Sequence, residues 1–393
     1  MKLLFSVPTG YHLRELLLPL KPRLIENQNI QQVIIATPAQ EASQDVFPAW
    51  PAKFTFVKNP DSLVNHQDMM RRYQPNLVIT NTVGHDEKDY PILVAAKKES
   101  IPTLTFIASW DNVWKIERLL KTPSRVALAD TFVVWNTMMK DHLRRLLPSI
   151  DENSIHIIGA PRLDYYAQKN LIPSKAQLFT ASGLSDPSRP LIHFSTTELY
   201  PMDYIVKAVR QAQETHKLPK NLALLATVHP GGKLENHAHL EKYGVHVRFA
   251  FGRHPNAAHP AFTYNPSEAD IFNAVALYCH SNVLVNHSST TALESLLADV
   301  PVINVKYGAP LDWWRWYRSM VYRDFAQHYD DVVNEGATAV VKNASQLIHA
   351  IDSYLKNPAQ NSANRKQTIK KMITTTDGTA SRQVLDLIAA LAQ

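Results

Sequence analysis

The chain has 393 residues, 45% hydrophobic and 9% aromatic, too long for one ordinary core and suited to two domains. Its formal charge of +6, with 17 histidines neutral, favours an anionic ligand or surface; no zinc finger, stacked aromatic signature or arginine-rich arm points to nucleic acid. A single cysteine, Cys279, excludes an intrachain disulfide framework and fits a reducing compartment, and no apolar stretch approaches the ~20 residues of a membrane-spanning helix.

The opening MKLLFSVPTG is too short an apolar run for a signal peptide and reads as a buried strand over 2–7. Further apolar runs follow at 32–36, 54–57, 77–80, 103–107, 131–134 and 155–158, with helical patterns between several of them at 61–73, 89–99 and 136–147. Short apolar strands alternating with helices predict a mostly parallel sheet covered on both faces. This first domain is expected to span 1–168. Residues 170–190, rich in Ser and Pro, read as a linker.

The alternation resumes over 190–375. Strands are predicted at 191–195, 222–228 and 245–249, followed by a poorly patterned loop at 251–266. A helix over 268–279, started by Asn265 or Ser267, leads to the stretch VLVNHSSTTALESLLADVPVINV at 283–305. That stretch reads as strand, hydroxyl-rich turn, helix and next strand. In LDWWRWY at 311–317, one helix face cannot bury all three tryptophans. Helices are predicted at 344–355, 362–373 and 381–391, and the segment 376–393 is expected to pack back on the first domain.

Polar residues collect where strands end. In PTGYH at 8–12, Gly10 permits close approach to a ligand and His12 lies beside it. His85, Asp86 and Glu87 are acid–base candidates for an acceptor hydroxyl, and equally suit a solvated turn. Trp110, Asp111 and Asn112 combine an aromatic platform with two short polar groups. Asp111 either orients or deprotonates an acceptor or caps a helix.

In the second half, His229 ends a strong strand and Pro230 and Gly231 follow, either as a phosphate-approaching turn or an ordinary one. Ser288, Ser289 and Thr290 stand before a helix, where free N–H groups and hydroxyls suit an anion; a serine there also serves as a simple cap. Glu294, four residues past Thr290, shares its helix face and suits ribose hydroxyls, or is a surface glutamate. No metal-ligand spacing, P-loop, dinucleotide Gly-x-Gly-x-x-Gly or nucleophile elbow is present.

Three motifs carry a family likeness: SWDN at 109–112 with IIGAPRLD at 157–164, VHPGG at 228–232, and NHSSTTALESLLADVPVINV at 286–305, supported by DGTASRQVLDLI at 377–388. Together they resemble bacterial glycosyltransferases of the GT-B type, in the group around CDP-glycerol glycerophosphotransferases, capsule transferases and bacterial sialyltransferases. The resemblance implies two Rossmann-like domains facing a central cleft. The N-terminal domain would serve the acceptor and the C-terminal one the donor. It assigns His229, Ser288 and Ser289 to the nucleotide phosphate and Glu294 to the donor ribose. The chain departs from the pattern in having Trp114-Lys115-Ile116 where relatives often carry Lys-Gly, and in offering its carboxylates as GHDEK.

The function expected from the resemblance is transfer of a sugar from a nucleotide-activated donor to a hydroxyl of a cell-surface glycan or lipid-linked acceptor, with no tightly bound cofactor and no required metal. Alternatives are CDP-polyol phosphate transfer, UDP-sugar 2-epimerisation, and carbohydrate binding without catalysis. The expected setting is cytoplasmic, with Lys366, Lys370 and Lys371 suited to peripheral contact with an anionic inner membrane face.

Overall fold

The computed structural model describes residues 1–393 apart from 48–49, 61, 83–88 and 121–127; for 44, 82, 115, 118, 119 and 313 it describes the backbone alone. The chain divides into two compact units, the first comprising Met1–Ala167, His254–Pro266 and Ile373–Gln393, the second Gln168–Arg253 and Ser267–Met372.

The first unit holds a parallel sheet of β1 (Lys2–Ser6), β2 (Gln32–Thr37), β3 (Phe54–Lys58), β4 (Leu77–Thr82), β5 (Thr103–Ile107), β6 (Thr131–Val134) and β7 (Ile155–Ile157), in the order β3-β2-β1-β4-β5-β6-β7. The second holds β8 (Leu191–Ser195), β9 (Ala223–Val228), β10 (His246–Phe249), β11 (Val283–Asn286), β12 (Val302–Val305) and β13 (Ala339–Val341), in the order β10-β9-β8-β11-β12-β13. Helices on both faces bury the strands, so β5, β8, β9 and β11 are covered along their whole length. Both sheets are doubly wound in the Rossmann manner, which is the GT-B pair of units expected from the sequence.

Several local expectations change. The stretch read as a linker contains the helix Lys175–Ser182, opened by a Ser174–Gln177 capping box and closed by Gly183 in the left-handed region. Its Leu178 and Phe179 pack with Leu191, Leu225 and Leu277 in a core of the second unit. The strand β13 was not anticipated because three half-apolar residues carry no period. Ser267, not Asn265, starts the helix Glu268–His280, through a capping box with Asp270. Asn265 instead donates to the Val46 carbonyl at 2.7 Å.

That bond belongs to a wider rearrangement of the supposed loop. Residues 254–266 build into the first unit, where Phe262 is fully buried against Phe47 at 5.3 Å and Tyr264 meets Tyr11 at 4.9 Å. The helix Ala380–Leu391 is held to the same unit by Asp164, whose carboxylate accepts from the amides of Ala380 (3.1 Å) and Ser381 (2.7 Å). A side chain from elsewhere in the sequence thus supplies the cap.

Gly10 has a packing reason to be glycine: a Cβ there would stand 1.5 Å from the Tyr264 carbonyl oxygen. The close approach it permits is by the chain's own backbone. Gly10→Ala must displace that segment, and a loss of about 3 kcal/mol in unfolding free energy is expected by denaturant titration.

Two histidines are buried along the second sheet. His193 in β8 hydrogen-bonds Thr227 Oγ1 at 2.8 Å, and His287 follows β11; burial lowers both to a pKa of about 3. The unfolded chain protonates each ring near pH 6.5 while the folded chain does not until about pH 3, so stability is lost as pH falls through that window. Denaturation at pH 6.5 and about pH 5 should differ by about 2 kcal/mol for each ring. A flat profile would show the rings to be charged in the folded state.

Candidate functional site

In a doubly wound sheet the ligand crevice lies beyond the strand C-termini where the strand order reverses. In the second unit that point falls between β8 and β11. Ser195 and Thr196 end β8, and Asn286-His287-Ser288-Ser289-Thr290 ends β11, so the hydroxyl-rich turn singled out in the sequence stands at this point. Thr291 Oγ1 donates to Ser195 Oγ across it at 3.3 Å.

The turn is held from beneath by buried amides. Asn304, fully buried in β12, sends its Nδ2 to Asn286 Oδ1 (2.6 Å) and His287 O (3.0 Å) and lies 2.9 Å from the Tyr329 hydroxyl. Asn286 Nδ2 donates to Thr291 Oγ1 at 3.2 Å. From the other side, Tyr204 donates its hydroxyl to Tyr307 O (2.6 Å) and lies 2.9 Å from His287 Nε2, so that nitrogen carries the ring proton. Burial raises the Tyr204 phenol and keeps it a donor. Trp316, from the tryptophan cluster, is buried against Tyr200 and the His287 ring, whereas Trp314 is half-exposed. A helix sends these two to opposite surroundings.

The first turn of the helix Thr291–Leu297 is internally satisfied. Thr291 N–H donates to Ser289 Oγ, Ala292 N–H to Ser289 O, and the Leu293 and Glu294 N–H groups to Thr290 O. Ser289 therefore acts in part as the simple cap. The amides of Ser288, Ser289 and Thr290 meet no intrachain acceptor among the described residues. Donors suited to an anion thus lie in the turn before the helix rather than in its first turn. Ser288 Oγ donates to Asp324 Oδ2 at 3.0 Å. Glu294 is 4% exposed, which removes the surface-glutamate reading. Thr196 Oγ1, also buried, has no partner among the described residues.

One strand over, His229 is exposed after β9, and its Nδ1 accepts the Gly231 N–H at 3.0 Å. The neutral ring therefore carries its proton on Nε2. Pro230 and Gly231 form the turn, and Gly232 behind it leaves room for Glu198: a Cβ would lie 2.5 Å from Glu198 Oε1 and push that carboxylate aside. Glu198 braces the segment through Lys233 N–H (3.1 Å), Asn236 Nδ2 (2.8 Å) and His237 Nε2 (2.9 Å). Partial burial works to raise its carboxyl, but the Asn236, His237 and Lys233 hydrogen bonds prevail and hold it below its ordinary value.

In the first unit the order reverses between β1 and β4. Gly10 and His12 follow β1; His12 is buried, with Nδ1 2.9 Å from Thr9 Oγ1. His85, Asp86 and Glu87 follow β4 and lie outside the described residues. Beyond β5, Trp110 and Asn112 are buried and Asp111 is half-buried, at the start of the helix Asn112–Leu120.

Sequence reasoning missed Asn286, Asn304, Tyr204 and Tyr329. The two asparagines had a signal, each being a lone amide in an otherwise apolar strand. The tyrosines had none. Among the described residues no cluster of His, Cys, Asp and Glu is arranged to hold a metal ion, and no helix is long and apolar enough to cross a membrane. A groove of about 740 Å³, lined by residues of the helices Asp203–Glu214 and Ala344–Lys356, contains none of the candidate residues.

No curated protein matches the chain by sequence. Among solved structures, UDP-GlcNAc 2-epimerase from Neisseria meningitidis bound to UDP-GlcNAc is similar, with TM-score 0.67, 14% identity, and coverage of 99% of this chain and 100% of that one. A structure of the wall teichoic acid polymerase TagF with CDPG gives TM-score 0.62 at 13% identity, covering 100% of this chain and 88% of that one. UDP-GlcNAc 2-epimerase from Methanocaldococcus jannaschii gives 0.62 at 15% identity, covering 99% and 100%. At such identities the likeness is one of fold. The model of the family described as CDP-glycerol:poly(glycerophosphate) glycerophosphotransferase, by contrast, matches residues 82–390, well over half of the chain. The chain belongs to that family, whose members are enzymes acting on a nucleotide-activated donor.

Proposed function

We propose that the chain transfers a polyol phosphate from a CDP-activated polyol to a hydroxyl of a cell-envelope acceptor. The observation that carries this is the family match over 82–390. It displaces sugar transfer, the reading the sequence alone put first, in favour of its polyol-phosphate alternative. The TagF likeness, with CDPG in that structure, agrees. The epimerase likenesses supply the fold but no argument for epimerisation here.

In this reading the acceptor oxygen attacks the phosphorus that bears the polyol. A new P–O bond forms to the acceptor, the P–O bond to CMP breaks, and the hydroxyl proton passes to a base. Asp111 is the described candidate for that base; Asp86 and Glu87 remain candidates from the sequence. The departing CMP phosphate is received by the amides and hydroxyls of Ser288, Ser289 and Thr290, with His229 donating from Nε2 at the Pro230-Gly231 turn. Glu294 takes the ribose hydroxyls.

A second surface, besides the lysines named from the sequence, suits membrane contact. Lys366 and Lys371 lie within ion-pair distance of Asp299 and Glu335. Leu311, Trp314, Tyr317 and Met320 are exposed together, beside exposed Arg315 and Arg318, which supports peripheral contact with an anionic bilayer. Replacing Trp314 and Tyr317 by Ser should reduce sedimentation with phosphatidylglycerol vesicles about tenfold. Unchanged sedimentation would remove this surface from consideration.

The decisive experiment is product analysis with CDP-glycerol and a glycerophosphate-primed acceptor. Release of CMP with phosphorus carried into the acceptor is expected, and release of a nucleoside diphosphate with sugar transfer would overturn the reading. Ser288→Ala with Ser289→Ala should raise the donor KM and lower kcat, by about a hundredfold in kcat/KM.

A further inference from the structure

Arg253 plays no part in the site as built so far. Its backbone position is fixed by the second sheet: Ala250 N–H donates to Val228 O at 3.0 Å, extending the β9–β10 ladder, and Arg253 N–H donates to Ala250 O at 3.2 Å. The turn bearing Arg253 therefore leaves the same sheet edge as His229, the residue that follows Val228.

Arg253 is half-buried, and its side chain differs from the other arginines packed into this unit. Arg365 Nε donates to Asp299 Oδ1 (2.7 Å), and its Nη1 and Nη2 donate to the Gln360 and Pro358 carbonyls. Arg248 donates to Phe249 O and Ala181 O. Arg253 Nε and Nη1 are withdrawn from water and have no acceptor among the described residues; the guanidinium lies 5.4 Å from the Phe249 ring centroid. Guanidinium N–H groups withdrawn from water without an acceptor are unfavourable. No described residue completes them, and the fork of N–H groups matches two oxygens of a phosphate.

We infer that Arg253 binds a phosphate group of a nucleoside diphosphate at the β9–β10 edge. This deepens the proposed function, since it rests on a donor that carries a diphosphate, and it adds a full positive charge to the turn donors.

The test uses the full chain and titration calorimetry with CDP, UDP, GDP and cytidine, on wild type, Arg253→Met and Arg253→Lys. Arg253→Met should weaken the nucleoside diphosphate bound by wild type by about tenfold or more, and leave cytidine binding unchanged. Arg253→Lys, which keeps the charge and loses the fork, should fall between. Without ligand, Arg253→Met should melt at or above the wild-type temperature, because N–H groups withdrawn from water without an acceptor are gone; a structural role predicts a lower one. Diphosphate affinity within twofold of wild type in both variants would overturn the inference. If Arg253→Met does not fold, wild-type diphosphate affinity in Arg253→Lys alone would do so. A wild type that binds UDP but not CDP refutes the polyol-phosphate reading while leaving Arg253 testable with UDP. A wild type that binds none of the three overturns both.

Discussion

The C-terminal edge of the second sheet depends on one buried amide. Asn304, inside β12, spends its Nδ2 on the Asn286 side chain and the His287 carbonyl and meets the Tyr329 hydroxyl. A parallel sheet buried on both faces has no water to offer such a group, so the arrangement holds only while each polar atom keeps its protein partner. The benefit is positional. Peptide groups after β11 are pinned from below, which fixes where the turn at Ser288–Thr290 begins. His287 and Tyr204 act from the other side by the same logic: a neutral ring and a protonated phenol exchange hydrogen bonds with no charge to solvate.

The two walls of the second-unit edge differ in kind. In the proposed function, the anion at β8 and β11 would meet backbone amides and hydroxyls, whose interaction is fixed in direction and weak in charge. At β9 and β10 it would meet the neutral His229 ring and the Arg253 guanidinium, whose charge reaches further. A leaving phosphate acquires charge as its bond breaks, so preset donors on both sides would favour the departed state over the bound one.

Much of the fold was legible because each strand is covered on two faces and reads as an unbroken apolar run. β1, β5, β6 and β8 are visible in LLF, TLTFI, TFVV and LIHFS without any period. β13 was invisible because Ala339–Val341 is short and partly exposed. The helix Lys175–Ser182 was hidden by its polar neighbours, although Ser174, Gln177 and Gly183 announce both of its ends. In the site, the hydroxyl cluster could be found from its place between two apolar runs. What Asn304, Tyr204 and Arg253 do could not, because each depends on what stands or fails to stand beside it from far along the chain. Gly10 is the instructive case: the residue type was singled out rightly, yet its cause lies in Tyr264, some 250 residues away.

The first unit is assembled from three separated pieces of chain, the last beginning at Ile373. Phe262 reaches it after roughly two-thirds of the 393 residues exist, and the Asp164-capped helix Ala380–Leu391 only at the end. During synthesis, then, the N-terminal sheet must wait with its Phe47 and Gly10 surfaces uncovered until residues 254–266 arrive, and for its last helix until the second unit is complete. Such late, long-distance closure makes folding slow and leaves a sticky intermediate, so chaperone demand should fall mainly on the half of the molecule that is made first.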